Sequence, residues 1–280
     1  MKRRSFCAGS AAALGSLSLE AQTVARKGRL KQGVSRWCFE KIPLDDLARE
    51  CARLGMKSVD LLAPAGWPVV KKYGLIASMP EAGGGTISDG LNRKENHAKI
   101  EQQLREGIEQ CAAAGVPNII AFSGNRRGLS DQEGMENCVI GLNRVKAIAE
   151  DKGVTICMEL LNSKVNHKDY QCDHTAWGVE VCKRVNSPRV KLLYDIYHMQ
   201  IMEGDIIRTI RDNIQYIGHF HTGGNPGRHE IDATQELNYR AIAEAVAALK
   251  FDGYFCHEFT PGPGRDPLRS LAEAVDICDV

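Results

Sequence analysis

The sequence predicts a (β/α)8 barrel, a TIM barrel of parallel strands ringed by helices, on two observations. Apolar runs of strand type alternate with segments of helical apolar spacing eight times, in about the 250 residues such a barrel needs. No linker or shift of composition divides residues 26–280, so the eight units read as one domain. An open doubly wound sheet would want a glycine fingerprint after its first strand, and Trp37 to Pro43, WCFEKIP, is not one.

The elements follow in order. Residues 31–39, KQGVSRWCF, read as the first strand. The helix after it has Leu44, Leu47, Ala48, Cys51 and Leu54 on one face and Gly55 as its stop. KSVDLLA (57–63) is the second strand, WPVVKKYG (67–74) a short helix and LIASMP (75–80) the third strand. The loop 81–96 is long, polar and glycine-rich. Its Gly83, Gly84 and Gly85 suit a phosphate cradle poorly, because no GxGxxG or Walker pattern follows, and a cover over a substrate better. Helix 97–115, strand 117–124 and a helix over 130–153 come next, the last opened by Ser130 and Glu133 as a capping box. Strand five is VTICMELLN (154–162) and its helix spans 174–186. VKLLYDIYH (190–198) is strand six, 204–213 its helix, IQYIGHFHTG (214–223) strand seven, 238–250 its helix, and GYFCHEFTPG (253–262) strand eight. The helix 266–278 completes the count.

Four consecutive strands end in a metal-type ligand: Glu159, Asp195, His221 and Glu258. Singly, each has an ordinary explanation: an acid paired with an arginine, a cap on the next helix, a hydrogen-bonded histidine. In a barrel, however, all strand C-termini open on one rim, so four neighbouring strands bring these side chains together. Two carboxylates about 4 Å apart repel by roughly 4 kcal/mol at an effective dielectric near 20. A bound cation relieves this, and an oxygen-rich set with one imidazole suits Mn²⁺ or Mg²⁺, with Zn²⁺ or Co²⁺ as the next choices.

The chain has 280 residues, 43% hydrophobic and 25% charged, with a formal net charge of +1. That balance, without a basic stripe, speaks against nucleic acid or an anionic membrane as partner and for a small molecule. A homo-oligomer stays open. The ten cysteines are scattered without a CxxC pair, and most read as small buried apolar residues.

Residues 1–25 resemble a twin-arginine export signal: Arg3 and Arg4 precede Ser5 and Phe6, and the apolar stretch Ala11 to Leu19 is too short to span a bilayer. A disordered extension is the alternative. The expectation is a periplasmic or exported protein, cut after Ala21 or Ala25, with no stable membrane insertion thereafter. Removing Cys7 leaves nine thiols, an odd number.

The segments ICMELLN, YDIYHMQ and above all GHFHTGGNPGRHEIDATQELNY resemble the hydroxypyruvate isomerase family within the xylose isomerase-like barrels, over roughly residues 30–278. The resemblance implies catalytic glutamates at Glu159 and Glu258, and metal ligands at those two with Asp195 and His221. It implies substrate contacts at His198 and Arg228, while Arg228, His229 and Glu230 could instead form a charged surface loop. It carries His221 where some members have glutamine, which favours metal binding.

The implied reaction interconverts an α-hydroxy aldehyde and an α-hydroxy ketone through an ene-diolate, with hydroxypyruvate to tartronate semialdehyde as the family's case. A carboxylate base and its conjugate acid suffice for the proton transfers. Two other readings stand beside it: a ketose 3-epimerase or a lyase on an oxidised sugar, and a non-catalytic secreted sugar-binding barrel, against which both glutamates argue.

Overall fold

A computed structural model describes residues 24–280. The export signal read over residues 1–25 therefore lies outside the described residues except for its last two positions. Eight parallel strands form one sheet: β1 Lys31–Ser35, β2 Ser58–Asp60, β3 Ile76–Ala77, β4 Asn118–Ala121, β5 Thr155–Glu159, β6 Val190–Asp195, β7 Ile217–Thr222 and β8 Tyr254–His257. The order β3-β2-β1-β8-β7-β6-β5-β4 joins the first strand to the last, so the sheet curls on itself. An isolated parallel bridge between Gly84 and Ala121 brings the chain after β3 onto β4 and completes the ring. This explains the glycine run better than any ligand does. A Cβ on Gly83 would lie 1.9 Å from the Ile120 carbonyl oxygen, so the backbones approach too closely for a side chain. Leu91 and Asn92 add hydrogen bonds to Phe122 and Ser123, which makes the loop 81–96 a pinned wall rather than a loose cover.

Helices surround the sheet: α1 Leu44–Arg53, α2 Trp67–Lys71, α3 His97–Ala114, α4 Asp131–Asn143, α5 Lys146–Lys152, α6 Thr175–Val185, α7 Ile196–Met202, α8 Ile206–Asn213, α9 Tyr239–Ala248 and α10 Pro267–Ile277. In α3 the buried residues Ile100, Leu104, Ile108 and Cys111 recur at helical spacing, and Gly115 ends it at a φ of +77°. No described helix is long and apolar enough to cross a membrane. All nine cysteines of the described residues are free, and only Cys38 is not buried.

Most predicted elements are shorter than the sequence suggested, among them three with a clear local cause. The helix read over 130–153 divides into α4 and α5, because the Arg144 carbonyl accepts from Arg105 and Val145 turns into the core. Only half of its capping box is present, the Ser130 side chain accepting from the Glu133 amide. The first strand stops at Ser35, and Arg36–Phe39 form a 3-10 turn. The sixth strand stops at Asp195, whose side chain accepts the His198 amide at 3.0 Å and so opens α7 three residues early.

The strand period of two then sorts the side chains. Ile156 and Met158 of β5, Leu192 and Tyr194 of β6, and Phe220 of β7 join the outer core under the helices. The alternate positions fill the barrel interior, where Cys157 and Leu193 pack with Met79 and Ile120. Glu159, Asp195 and His221 each lie two residues beyond an inward-facing residue, so they form the next layer toward the rim.

Candidate active site

Glu159, Asp195, His221 and Glu258 are all buried, and each offers a ligand atom within 4.8 Å of the others. From His221 Nδ1, Glu258 Oε2 lies 2.6 Å away, Glu159 Oε1 3.7 Å and Asp195 Oδ2 4.0 Å. Nδ1 has no partner in hydrogen-bonding geometry although it is fully buried. Its other nitrogen, Nε2, sits 2.6 Å from Asp60 Oδ2.

An orphaned ring nitrogen aimed into three carboxylates is what a cation ligand requires, so the residues fit a divalent ion. The donor set is three carboxylates and one imidazole, which suits Mn²⁺ or Mg²⁺, with Zn²⁺ and Co²⁺ within its range.

Arg228 also reaches this cluster. Its Nη2 donates to Asp195 Oδ2 at 2.6 Å and to Glu258 Oε2, and its Nε donates to the Glu258 carbonyl at 3.1 Å. The backbone holds it there at a left-handed φ of +57°, with its amide on Gly224 and its carbonyl on Thr260. The guanidinium also stacks over the Tyr197 ring, 5.0 Å from its centre. The surface-loop alternative holds only for His229, which is exposed and bonds the Thr260 carbonyl, whereas Glu230 is buried and ties Gly262 and Ser270.

His198 lies beside it, with Nε2 2.7 Å from Arg228 Nη1 and Nδ1 2.5 Å from Asn162 Nδ2. Burial and then the Arg228 charge push its pKa well below the usual histidine value, so the ring is neutral. A neutral imidazole accepts at one nitrogen only, so one of these two contacts sets donor against donor.

Electrostatics divide the two glutamates. Burial raises the Glu159 carboxyl to about 7, helped by the charges of Glu258 and Asp195 and opposed by His221. Burial acts on Glu258 too, but His221 and Arg228 outweigh it and hold that carboxyl down at about 2. Trp37, on the 3-10 turn after β1, donates its indole N–H to Glu258 Oε1 at 2.5 Å. For His221, burial disfavours protonation, yet Glu258, Asp60 and Glu159 together hold its pKa well above the usual value.

Above the cluster opens a cavity of about 410 Å³. One side is apolar, from Leu61, Ile87, Ile120 and Phe122; the other is polar, from Asn166, His167, His198 and Arg228. A hollow of about 590 Å³ at the opposite end of the barrel contains no acid–histidine set.

All six residues singled out from the sequence meet at this site. Trp37, Asp60, Asn162 and His167 were missed. Asp60 carried the same signal as the three acids that were found, a carboxylate closing a strand, but its strand was read on to Ala63. Asn162 stands in ICMELLN, whereas Trp37 and His167 had no local signal.

Residues 35–279 match the family model described as xylose isomerase-like TIM barrel. The chain belongs to this family. Among its relatives, the 2-oxo-tetronate isomerase of Cupriavidus necator is 34% identical over 130 residues, 46% of this chain and 48% of that protein. The matched stretch thus spans about half of that relative's length. A mouse protein provisionally named hydroxypyruvate isomerase is 22% identical over 245 residues, 80% of this chain and 87% of its own. The D-psicose 3-epimerase of Clostridium cellulolyticum H10, solved with D-tagatose, superposes with a TM-score of 0.75 at 19% identity, covering 89% of this chain and 98% of that one. At that identity the likeness concerns the fold.

Proposed function

We propose that this protein is a metal-dependent isomerase that moves a proton between neighbouring carbons of a short α-hydroxy-carbonyl acid, with hydroxypyruvate to tartronate semialdehyde as the favoured reaction. The observation that carries the reading is the pair of buried glutamates, Glu159 and Glu258, which converge with Asp195 and His221 to within 4.8 Å at the floor of a cavity. A divalent ion held by Glu159, Asp195, His221 and Glu258 would supply electrostatic stabilisation of the negative charge that develops on the substrate oxygens.

The chain's own residues do the rest. Glu159 and Glu258 form the acid–base pair that takes a proton from one substrate carbon and returns one to its neighbour. Trp37 holds one Glu258 oxygen and thereby sets the direction of the other. Arg228 carries the charge that matches a substrate carboxylate, and His198, on the cavity wall and against Arg228 Nη1, positions it. Leu61, Ile120 and Phe122 keep water from the carbanion-like intermediate. Two of the relatives are named for short 2-oxo acids, which agrees with an arginine at the site.

A ketose 3-epimerase is the second reading, favoured by a cavity of about 410 Å³, more than a three-carbon acid fills. Mn²⁺-loaded protein assayed on hydroxypyruvate, 2-oxo-tetronate and a panel of ketoses in deuterated water separates the two. Turnover of the acids with deuterium entering the product supports the first. Turnover of ketoses alone supports the second, and a metal-loaded protein inert on all of them overturns both.

A further inference from the structure

We infer that Asp60 is a positioning residue for the metal ligand His221: it pins the ring by Nε2, so that Nδ1 alone is left to meet the cation. The inference rests on reading the carboxylate cluster as a cation site. Asp60 ends β2, three strands around the ring from β7, and its side chain crosses the barrel interior. Its Oδ2 lies 2.6 Å from His221 Nε2 and 3.0 Å from His219 Nε2, and its Oδ1 accepts from Ser78 Oγ at 2.9 Å. Asp60, His219 and His221 are each 0% exposed.

An ionised carboxylate only accepts hydrogen bonds, so both imidazoles must present an Nε2–H to it. His219 reports the same tautomer independently. Its Nδ1 faces the amide nitrogen of Asn118 at 3.5 Å, a donor, which leaves the proton on Nε2. For His221 the consequence falls on the other side of the ring. With Nε2–H committed to Asp60, the nitrogen left to face a cation is Nδ1, the orphaned atom among Glu159, Asp195 and Glu258. The carboxylate also makes the ring a stronger donor toward the metal, and loss of such a partner typically weakens metal binding about 10–100-fold. Ser78 acts one step further out, by fixing the plane of the carboxylate.

The test compares Mn²⁺ affinity of the wild type, Asp60→Asn and Ser78→Ala by titration calorimetry, with circular dichroism to confirm folding. Ring-nitrogen NMR of the Zn²⁺-loaded wild type, a diamagnetic form, reports the tautomer directly. We expect a proton on His221 Nε2 with Nδ1 bound to zinc, affinity about 10–100-fold weaker in Asp60→Asn, and a smaller loss in Ser78→Ala. Zinc on Nε2 overturns the inference even where Asp60→Asn does not fold. A folded Asp60→Asn with Mn²⁺ affinity within about twofold of wild type overturns it while the cation site stands. A wild type that takes up no divalent ion overturns the cation site and the inference together.

Discussion

Replacing Arg228 by glutamine removes the positive charge that lies against two of the candidate metal ligands. Its Nη2 bonds Asp195 and Glu258, both buried, and the guanidinium pKa is pushed up because these charges outweigh its burial. At an effective dielectric near 20, each charge pair is worth about 4 kcal/mol gross at 4 Å. The measured loss is smaller after desolvation, and breaking a buried pair by removing one partner typically costs about 3–5 kcal/mol. At about 2–4 °C per kcal/mol for a large single domain, metal-free Arg228→Gln is expected to melt roughly 6–20 °C below wild type.

A divalent ion neutralises the same carboxylates, and at one fixed concentration it stabilises more the protein that binds it more tightly, by about 1.4 kcal/mol for each tenfold in affinity. Because the variant no longer has a guanidinium competing for Asp195 and Glu258, Mn²⁺ should bind it more tightly and recover most of its deficit. The assay is calorimetric or fluorescence melting in EDTA and in saturating Mn²⁺. An equal deficit in both conditions would show that Arg228 acts only as packing, and no deficit in EDTA would refute the electrostatic argument.

Three further outcomes are expected. Glu159 has a folded-state pKa raised from 4.5 to about 7, so its contribution to stability is complete below about pH 4.5 and fades as pH rises through about 7, a loss of roughly 3 kcal/mol. Urea unfolding at pH 5 and 7.5 in EDTA should therefore show a flatter pH slope in Glu159→Gln than in wild type, and identical slopes would contradict the assignment. Asp195→Asn and His221→Ala should each bind less Mn²⁺ by metal analysis, and full occupancy in both would remove them as ligands. Residues 1–30 fused to a reporter that works only after folded export should carry it out of the cytoplasm, and Arg3→Lys with Arg4→Lys should retain it; a wild-type fusion kept inside would end that reading.

The barrel and the core of its site were legible in the sequence because both follow from short-range periodicity. Apolar runs such as VKLLY must be buried on both faces, and α3's spacing of Ile100, Leu104, Ile108 and Cys111 makes one apolar stripe. Once strands are parallel, residues closing successive strands share a rim, so Glu159, Asp195, His221 and Glu258 had to meet. Asp195 served two roles at once, as rim carboxylate and as cap of α7, and a local reading of VKLLYDIYH could not separate strand from helix where the cap alone decides.

Contacts across the barrel were decided by the tertiary structure. Asp60 and His221 are 161 positions apart, and Trp37 and Glu258 are 221 apart. Periodicity assigns a side chain to the inner or outer face of its strand. It does not state which groups on opposite walls lie within hydrogen-bond reach, since that depends on how the ring closes and on the length of each side chain. For the same reason the loop with Gly83 was read as a cover over a substrate, when the glycine is required by the close approach of the Ile120 carbonyl where the sheet closes.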